Sequence, residues 1–400
     1  MRKSIQLYSV LFVFLGSLLG LQAQTQVLKG TVMDRQSRMG IEGVMVSTPE
    51  GTDFTLTNSE GDFVLEVSEQ VASVWFSQIN YEVKAVSTQA AMLIELEARS
   101  NELEEIIVLT KPLKTVFGSA LERVTQAVEQ GDRYQTYVRA FNLINDDLSN
   151  VADGLVDFYI ENPKKHPLIN VKQNRVLTAK TEVSSEDNLD EMLNVIGVEG
   201  LRYAIGDKQR VRDLQTILKR EKDYEYVIKK QKGIRGEETI VVEFHPKENL
   251  KGWQYYKGHM VFTADQEYLL SYRYALAESY KHKRVELPMI FARMFFQDME
   301  YCGIYRKYLE DYQLSYVAIY SNIDLRSKLL GNNNIVILEE LVVNNISKNE
   351  TLPPKLEKEL NLFGRQSNYQ TEFWKNRNIR LLTAREQNTL KTLEMVQQTN

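Results

Sequence analysis

The stretch TNSEGDFVLEV, residues 57–67, decides the fold of the first part of the chain. Asn58 to Gly61 predicts a tight turn, because Gly61 can adopt a positive φ without steric cost. After the turn, Phe63, Leu65 and Val67 recur at every second position, which is the period of a half-buried strand. The stretch therefore predicts two short strands joined by a turn, with one face in a core.

Other segments on both sides of this turn have the same character. They are short, rich in β-branched and aromatic residues, and separated by Gly, Pro, Asn and Ser. The segments are VLKGTVMD at 27–34, VMVSTPEG at 44–51, ASVWFSQINYE at 72–82 and AMLIELEA at 91–98. Short strands at this spacing favour a β-sandwich.

Several positions in this region resemble the carboxypeptidase regulatory-like domain, a transthyretin-like sandwich. The matching positions are Gly30, Val32, Asp34, 43–46, 57–63, Phe76, Ser77 and Tyr81. The resemblance covers residues 26–109 and predicts a first domain at 24–109. The family's name refers to the enzyme beside which such domains were first seen, so it implies no activity here.

The N-terminus predicts export. Arg2 and Lys3 precede an apolar run at 7–21, and the small residue Ala23 follows, which together predict a signal peptide at 1–23. The run is too short and too interrupted by glycine to be a membrane-spanning helix, and no comparable run follows it. The net charge of −5 argues against nucleic acid as a partner, and the single cysteine, Cys302, excludes an internal disulfide.

The stretch RSNELEEIIVLT, residues 99–110, resembles the end of this domain in TonB-dependent receptors, where a plug and a membrane barrel follow. The remaining chain has too few long alternating strands for such a barrel. A helix follows instead, with Thr110 as N-cap, Pro112 near its first turn and Gly131 at its end. We therefore predict an α+β domain at 110–330 with a curved antiparallel sheet and a packed helix, and a C-terminal extension at 331–400.

The rest of the chain predicts mainly strands. Three strands fall at 134–146, 151–161 and 171–182, and three hairpins at 224–245, 254–278 and 302–326. Helices are predicted at 184–197, after Pro288, and from a capping box of Thr383 and Glu386. The spacing of Tyr301, Tyr305, Tyr308 and Tyr312 also fits a helix, whereas residues 312–320 would place Tyr312, Leu314, Tyr316, Ala318 and Tyr320 on one face of a strand.

The second domain is similar in layout to the curved sheet of the lipoprotein-carrier fold. The residues that carry this resemblance are Phe244, Pro246, Tyr256, Gly258, Met260, Phe262 and Asp265. The resemblance implies a sheet that curls around a helix and holds acyl chains. It predicts an apolar ligand site between the first helix and the sheet, lined by Phe117, Leu121, Phe244, Met260, Phe262 and Tyr272.

The sequence indicates no catalytic residue, metal or cofactor. His245 and Glu248 have the spacing of two zinc ligands, but the later histidines, His259 and His282, are too near in sequence to supply the third ligand that such enzymes use. The basic region 202–235 is interpreted as the solvated face of strands, with a face for anionic lipid or glycan as the alternative.

These observations predict a non-enzymatic, exported binding or scaffold protein of the Gram-negative cell envelope, periplasmic or associated with the outer membrane. Its partner would be an envelope protein, a lipid or a glycan, and an apolar ligand would occupy the second domain. The alternatives are a protein–protein interaction module at the outer membrane and a cryptic hydrolase.

Overall fold

The computed structural model describes residues 25–51, 53–89, 93–99, 106–178, 201, 203–206, 208–233, 236–252, 255–281, 285–288, 292–328, 331–368 and 380–398. The predicted signal peptide at 1–23 and the predicted helix at 184–197 lie outside these residues. The chain divides into two compact units, a small unit up to Ala98 and a large unit from Arg99, and residues 380 and 381 group with the small unit.

The small unit consists of a three-stranded sheet of order β4-β1-β7 and a four-stranded sheet of order β3-β2-β5-β6. The strands are β1 (Thr25–Asp34), β2 (Met45–Ser47), β3 (Phe54–Leu56), β4 (Asp62–Ser68), β5 (Ser73–Ser77), β6 (Lys84–Ser87) and β7 (Leu93–Leu96). Alternate residues of β4 and β5 face one apolar core, in which the rings of Phe63 and Phe76 meet edge to face with centroids 5.5 Å apart. This unit is the predicted all-β part of the fold.

The turn at 58–61 has the predicted geometry. Gly61 has a φ of +83°. The buried side chain of Asn58 accepts hydrogen bonds through Oδ1 from the backbone N–H groups of Glu60, at 3.0 Å, and Asp62, at 2.8 Å. The side chain therefore satisfies two backbone donors that the turn would otherwise leave without partners.

A large antiparallel sheet forms the second unit. Its order is β10-β9-β8-β18-β17-β16-β14-β13-β12-β11, and β15 pairs with β16 beside this path. The strands are β8 (Arg133–Ile144), β9 (Asp147–Tyr159), β10 (Leu168–Thr178), β11 (Tyr224–Lys232), β12 (Glu238–Pro246), β13 (Tyr256–Thr263), β14 (Leu269–Leu276), β15 (Val285–Pro288), β16 (Arg293–Tyr308), β17 (Asp311–Ser327) and β18 (Gly331–Ser347). The predicted fold class, a β-sandwich followed by an α+β domain with a curved antiparallel sheet and a helix, is confirmed.

Helices lie on both faces of this sheet. The helices are α1 (Leu113–Gln126), α2 (Lys208–Lys219) and α3 (Ala384–Gln398). Helices α1 and α2 pack with Val138 and Ala140 of β8 in the largest apolar cluster among the described residues, here called the main core. Leu390 and Leu393 of α3 instead pack with Phe141 of the same strand. Because side chains of a strand alternate between the faces of the sheet, α3 lies on the face opposite to α1 and α2.

The start of α3 agrees with the predicted capping box. The N–H of Thr383 donates to Glu386 Oε2 at 2.7 Å, and the N–H of Glu386 donates to Thr383 Oγ1 at 3.1 Å. The reciprocal bonds satisfy two donors at the helix start. The three predicted hairpins are confirmed as well, as β11–β12, β13–β14 and β16–β17.

Four predictions of local structure are wrong. Helix α1 has Pro112 rather than Thr110 as its N-cap, and no side-chain hydrogen bond caps it. The helix expected after Pro288 is absent from the described residues 292–308, of which Arg293–Tyr308 form strand β16 and pair with β17. The same pairing makes Tyr301, Tyr305 and Tyr308 strand residues. Cross-strand hydrogen bonding and burial between neighbours override the helical spacing of these tyrosines.

The other two errors concern a bulge and a missed helix. The register of β16 with β17 shifts between Ile304 and Tyr305, so Leu314 faces the main core while Tyr316, Ala318 and Tyr320 face the other side. Region 202–235, interpreted as strands, contains α2. Residues 331–347 form β18 inside the large sheet, so the part of the C-terminal extension outside that sheet begins after Ser347.

Candidate functional site

Helices α1 and α2 form a layer on one face of the large sheet, here called the helix layer. Their buried side chains are Leu113, Phe117, Ala120, Leu121 and Val124 of α1 and Val211, Leu214, Ile217 and Leu218 of α2. Spacings of three and four residues place these side chains on one stripe of each helix. The surface between the helix layer and the sheet is therefore apolar over both helices.

Hydrogen bonds fix the helix layer at two of its ends. The N–H of Leu113, at the first turn of α1, donates to Glu221 Oε1 at 2.7 Å. The hydroxyl of Tyr226, on β11, donates to the carbonyl oxygen of Ile217 near the end of α2 at 2.6 Å. The first bond satisfies an N–H that has no partner within its own helix, and the second adds to the bond that the Ile217 carbonyl accepts from the N–H of Arg220 at 3.0 Å.

The structure brings all six residues of the predicted ligand site into one core. Phe117 and Leu121 come from α1, Phe244 from β12, Met260 and Phe262 from β13, and Tyr272 from β14. Phe117 stacks on Phe262 with ring centroids 4.6 Å apart. Their role in binding a ligand stays a prediction.

The packing at these six residues is closed. Five of the six side chains have 0% of their surface exposed and the sixth, Tyr272, has 1%. Water therefore does not reach them, and a ligand can contact them only after α1 moves away from the sheet. Such a movement would replace helix–sheet contacts with ligand contacts.

Four tyrosines on strands β13, β14 and β16 lie at and beside these six side chains. They are Tyr256, Tyr272, Tyr274 and Tyr301, here called the tyrosine layer. Tyr274 lies at the centre, with ring centroids 5.1 Å from Tyr256, 5.1 Å from Tyr301 and 5.7 Å from Tyr272. Burial raises the pKa of Tyr274 and Tyr256 above the usual value, so both hydroxyls are neutral donors. The sheet thus presents apolar rings with a few hydroxyl groups toward the helix layer.

Two glycines lie in close contact with β14, Gly303 against the ring of Tyr272 and Gly258 against the backbone beside Tyr274. A Cβ at Gly303 would lie 2.5 Å from ring atoms of Tyr272, and a Cβ at Gly258 would lie 2.7 Å from Cα of Tyr274. The ring of Tyr272 therefore lies directly against the backbone of the neighbouring strand. Glycine within a strand commonly marks such a close approach.

Helix α2 places a charged pair against the tyrosine layer. The hydroxyl of Tyr274 donates to Asp213 Oδ2 at 3.0 Å, and the guanidinium of Arg210 lies 4.4 Å from the ring centroid of Tyr301. Burial raises the pKa of Asp213 above its usual value, while the hydrogen bond from Tyr274 and the charge of Arg210 oppose this shift. A few polar groups thus converge at the edge of an apolar surface, as in many ligand sites.

Sequence analysis missed Arg210 and Asp213. They lie in a region of mixed charge, and nothing in the local pattern distinguishes them from the surrounding basic residues. The available signal was the spacing of Val211, Leu214 and Leu218, which indicates a helix with one apolar face. With that helix recognised, Arg210 and Asp213 lie on turns flanking the apolar face.

The pair considered as zinc ligands lies at the surface of the large unit, and His282 lies outside the described residues. His245 and Glu248 are exposed at the end of β12 and in the turn after it. Among the residues that the structure describes, no group of three or more His, Cys, Asp or Glu side chains is arranged to hold a metal ion.

Comparison with known sequences gives a partial match. No family model matches the chain. The TonB-dependent receptor P3 of Formosa agariphila is 33% identical over 113 residues, which are 27% of this chain and 11% of the receptor. The match thus covers about a ninth of the receptor's length.

Comparison with solved structures gives likenesses with low scores. Lipovitellin has a TM-score of 0.26 at 8% identity, covering 58% of this chain and 27% of that chain. A DUF1329 family protein from Desulfovibrio piger scores 0.25 at 11% identity, and a LolA superfamily protein from Nitrosomonas europaea scores 0.20 at 12%. The matches to the DUF1329 and LolA superfamily proteins each cover 61% of this chain and 96% of the matched chain. Scores at this level do not establish a shared fold.

Over the described part of the chain, none of the helices combines the length and the apolar character that crossing a bilayer requires.

Proposed function

We propose that the protein is a non-enzymatic binding protein of the cell envelope and that its large unit holds an apolar ligand between the helix layer and the sheet. The ligand would contact Phe117, Leu121, Phe244, Met260, Phe262 and Tyr272. The hydroxyl and charged groups at the edge of this patch would orient its polar end.

The tyrosine layer is the observation that supports this proposal. A core needed only for stability is most simply built from aliphatic side chains, which have no polar atoms to satisfy. Here Tyr256, Tyr272, Tyr274 and Tyr301 line the sheet beneath two short helices. Rings with hydroxyl ends suit a ligand that is apolar along most of its length and polar at one point.

The envelope location rests on two observations of different kinds. The N-terminal residues have the pattern of an export signal, and part of the chain is similar to a protein named as a TonB-dependent receptor. Such receptors lie in the outer membrane, so a periplasmic or outer-membrane-associated position is the proposal that fits both.

Two measurements test the ligand proposal. Protein purified from its native envelope should carry an apolar molecule that solvent extraction and mass spectrometry detect. The purified protein should also bind an apolar fluorescent probe, and a long-chain fatty acid should displace it. Leu121→Ala should change the displacement midpoint, because Leu121 lies in the contact surface.

Leu65→Ala is the matched control, since Leu65 is equally buried in the core of the small unit. Absence of both a co-purified molecule and probe displacement in the wild type would refute the proposal. An equal response of the two variants would place the binding elsewhere.

The closed packing of the six residues favours a second candidate. If α1 does not move, the large unit is a rigid scaffold and the protein acts through its surface, as an interaction module. Hydrogen exchange distinguishes the candidates: fatty acid should increase exchange of the amides in α1 if the ligand enters beneath it, and should leave them unchanged in a scaffold.

A further inference from the structure

The segment Ile106–Leu109 lies along the outer edge of β11, at one end of the large sheet. The N–H of Ile107 donates to the carbonyl oxygen of Ile228 at 2.8 Å, and Ile106 forms an antiparallel bridge with Lys229. The segment therefore extends the sheet by one short strand, here called the edge segment. Its other side becomes the new edge of the sheet.

Side chains of the edge segment alternate strictly. Ile107 and Leu109 pack against the main core, whereas Ile106 and Val108 are 69% and 86% exposed. Val227, opposite Val108 in the antiparallel register, is 43% exposed. Three β-branched apolar side chains thus form an exposed patch at the end of the sheet.

The backbone of this segment is also available for pairing. Because Ile107 faces β11, the N–H and C=O groups of Ile106 and Val108 point away from it, as antiparallel geometry requires. Among the described residues, no backbone hydrogen bond joins these groups to another strand. Proteins usually protect such an edge with a charged residue, a proline or a bulge, and residues 106–110 include no charged residue and no proline.

We propose that the edge segment pairs with the edge segment of a second copy of this chain, antiparallel about a twofold axis at Val108. This register places Val108 opposite its own copy and Ile106 opposite Thr110, which is also exposed. All three residues present their backbone groups to the partner. The two sheets then join into one continuous sheet, as in other cases of strand addition.

The charges that flank the segment fit this register. Glu102, Glu104 and Glu105 precede it in the sequence, and Lys111 and Lys114 follow it. In two antiparallel copies the order of charge along the chain is opposite, acidic before basic in one copy and basic before acidic in the other. A parallel pair would instead bring like charges together, which is unfavourable.

Sedimentation equilibrium of the protein purified from its host, over a wide concentration range, tests the proposal. The wild type should form a dimer. Val108→Lys and Val108→Glu should each weaken it about tenfold or more, because each places like charges face to face at the twofold axis. An equimolar mixture of the two variants should associate again, since opposite charges then meet. Val108 is so exposed that neither substitution should disturb the fold.

Val27→Lys serves as the control, because Val27 is an exposed β-branched residue on a strand of the small unit. It should leave the dimer unchanged. A wild type that stays monomeric overturns the proposal, as does a dimer that survives both variants at Val108. A mixture of the two variants that remains monomeric contradicts pairing about Val108.

Discussion

The ring of Phe117 on α1 stacks on the ring of Phe262 on β13, with centroids 4.6 Å apart and an angle of 29° between the planes. Both side chains are fully buried. The stack is a direct link between the helix layer and the sheet. Whatever separates α1 from the sheet must therefore break this contact.

Phe117→Ala should lower the free energy of unfolding of the large unit by about 3–5 kcal/mol, because it removes a buried ring and leaves a cavity. Phe117→Ala combined with Phe262→Ala should cost less than the sum of the single changes, since both remove the same contact. Urea denaturation followed by tryptophan fluorescence measures each variant.

Phe76→Ala provides the comparison, because Phe76 contacts Phe63 in the core of the small unit. Its effect should add to that of Phe117→Ala without coupling. Full additivity of Phe117→Ala and Phe262→Ala would mean that the two rings do not stabilise each other.

The hairpins of the large unit were predictable because their signals are local. A glycine turn between alternating segments specifies β11 and β12, and the turn before Tyr268 specifies β13 and β14. Helix α2 was not recognised, because its apolar residues lie among many charged ones. Strand β16 was mistaken in part for a helix, because its tyrosines recur at three- and four-residue intervals while their partners on β17 and β14 lie elsewhere in the sequence.

The predicted ligand site illustrates the same limit. Strand alternation identifies Phe244, Met260 and Phe262 as residues on one face, and the structure places them in one core with Phe117. Alternation does not indicate how tightly a helix covers them. The contact of Asp213 with Tyr274 spans 61 positions in the sequence, so no local pattern could reveal it.

Gly61→Val should destabilise the small unit, with about 1–3 kcal/mol from backbone strain alone. Valine is unfavourable at the φ of +83°, and a Cβ there would lie 2.2 Å from the carbonyl oxygen of Val32. Gly236→Val separates the two effects, because Gly236 has a similar φ of +77° and no atom within 4 Å of a Cβ.

Thermal unfolding resolved by hydrogen exchange of each unit should show the larger loss for Gly61→Val in the small unit. Equal losses for the two variants, each in its own unit, would show that the contact with Val32 is relieved by a shift of the backbone.

His259 should make the large unit less stable in mild acid. Burial and the nearby charges of Arg273 and Lys229 lower its pKa from 6.5 to about 4, although Lys229 also pairs with Glu243. The unfolded chain therefore binds a proton at His259 more readily than the folded chain. The stability that depends on neutral His259 is complete above pH 6.5 and is lost as the pH falls from 6.5 toward 4.

Urea midpoints measured above and below this interval should fall less with acid in His259→Gln than in the wild type, because glutamine does not titrate. His245→Gln, at an exposed histidine, should retain the wild-type decrease. An identical decrease in His259→Gln and the wild type would mean that other groups cause the acid sensitivity.

Two glycine-to-alanine changes should have opposite effects on the free energy of unfolding of the large unit. Alanine normally stabilises an element relative to glycine, because the unfolded chain loses conformational freedom. Gly118→Ala, inside α1, should stabilise the large unit by about 0.5–1 kcal/mol, since its Cβ would meet Lys114 Cγ at an ordinary 3.7 Å. Gly303→Ala should destabilise it by about 1–3 kcal/mol, because its Cβ would lie 2.5 Å from the ring of Tyr272.

Removing the ring of Tyr272 tests whether its contact with residue 303 causes the loss of stability. Tyr272→Ala removes the ring atoms that a Cβ at residue 303 would meet, so adding Gly303→Ala to that variant should cost far less than adding it to the wild type. Urea denaturation of the four chains that make up this cycle gives the coupling directly. A cost of Gly303→Ala that is unchanged by Tyr272→Ala would show that the ring does not rest on the backbone of β16. The ring of Tyr272 would then lie farther from that strand than the structure places it.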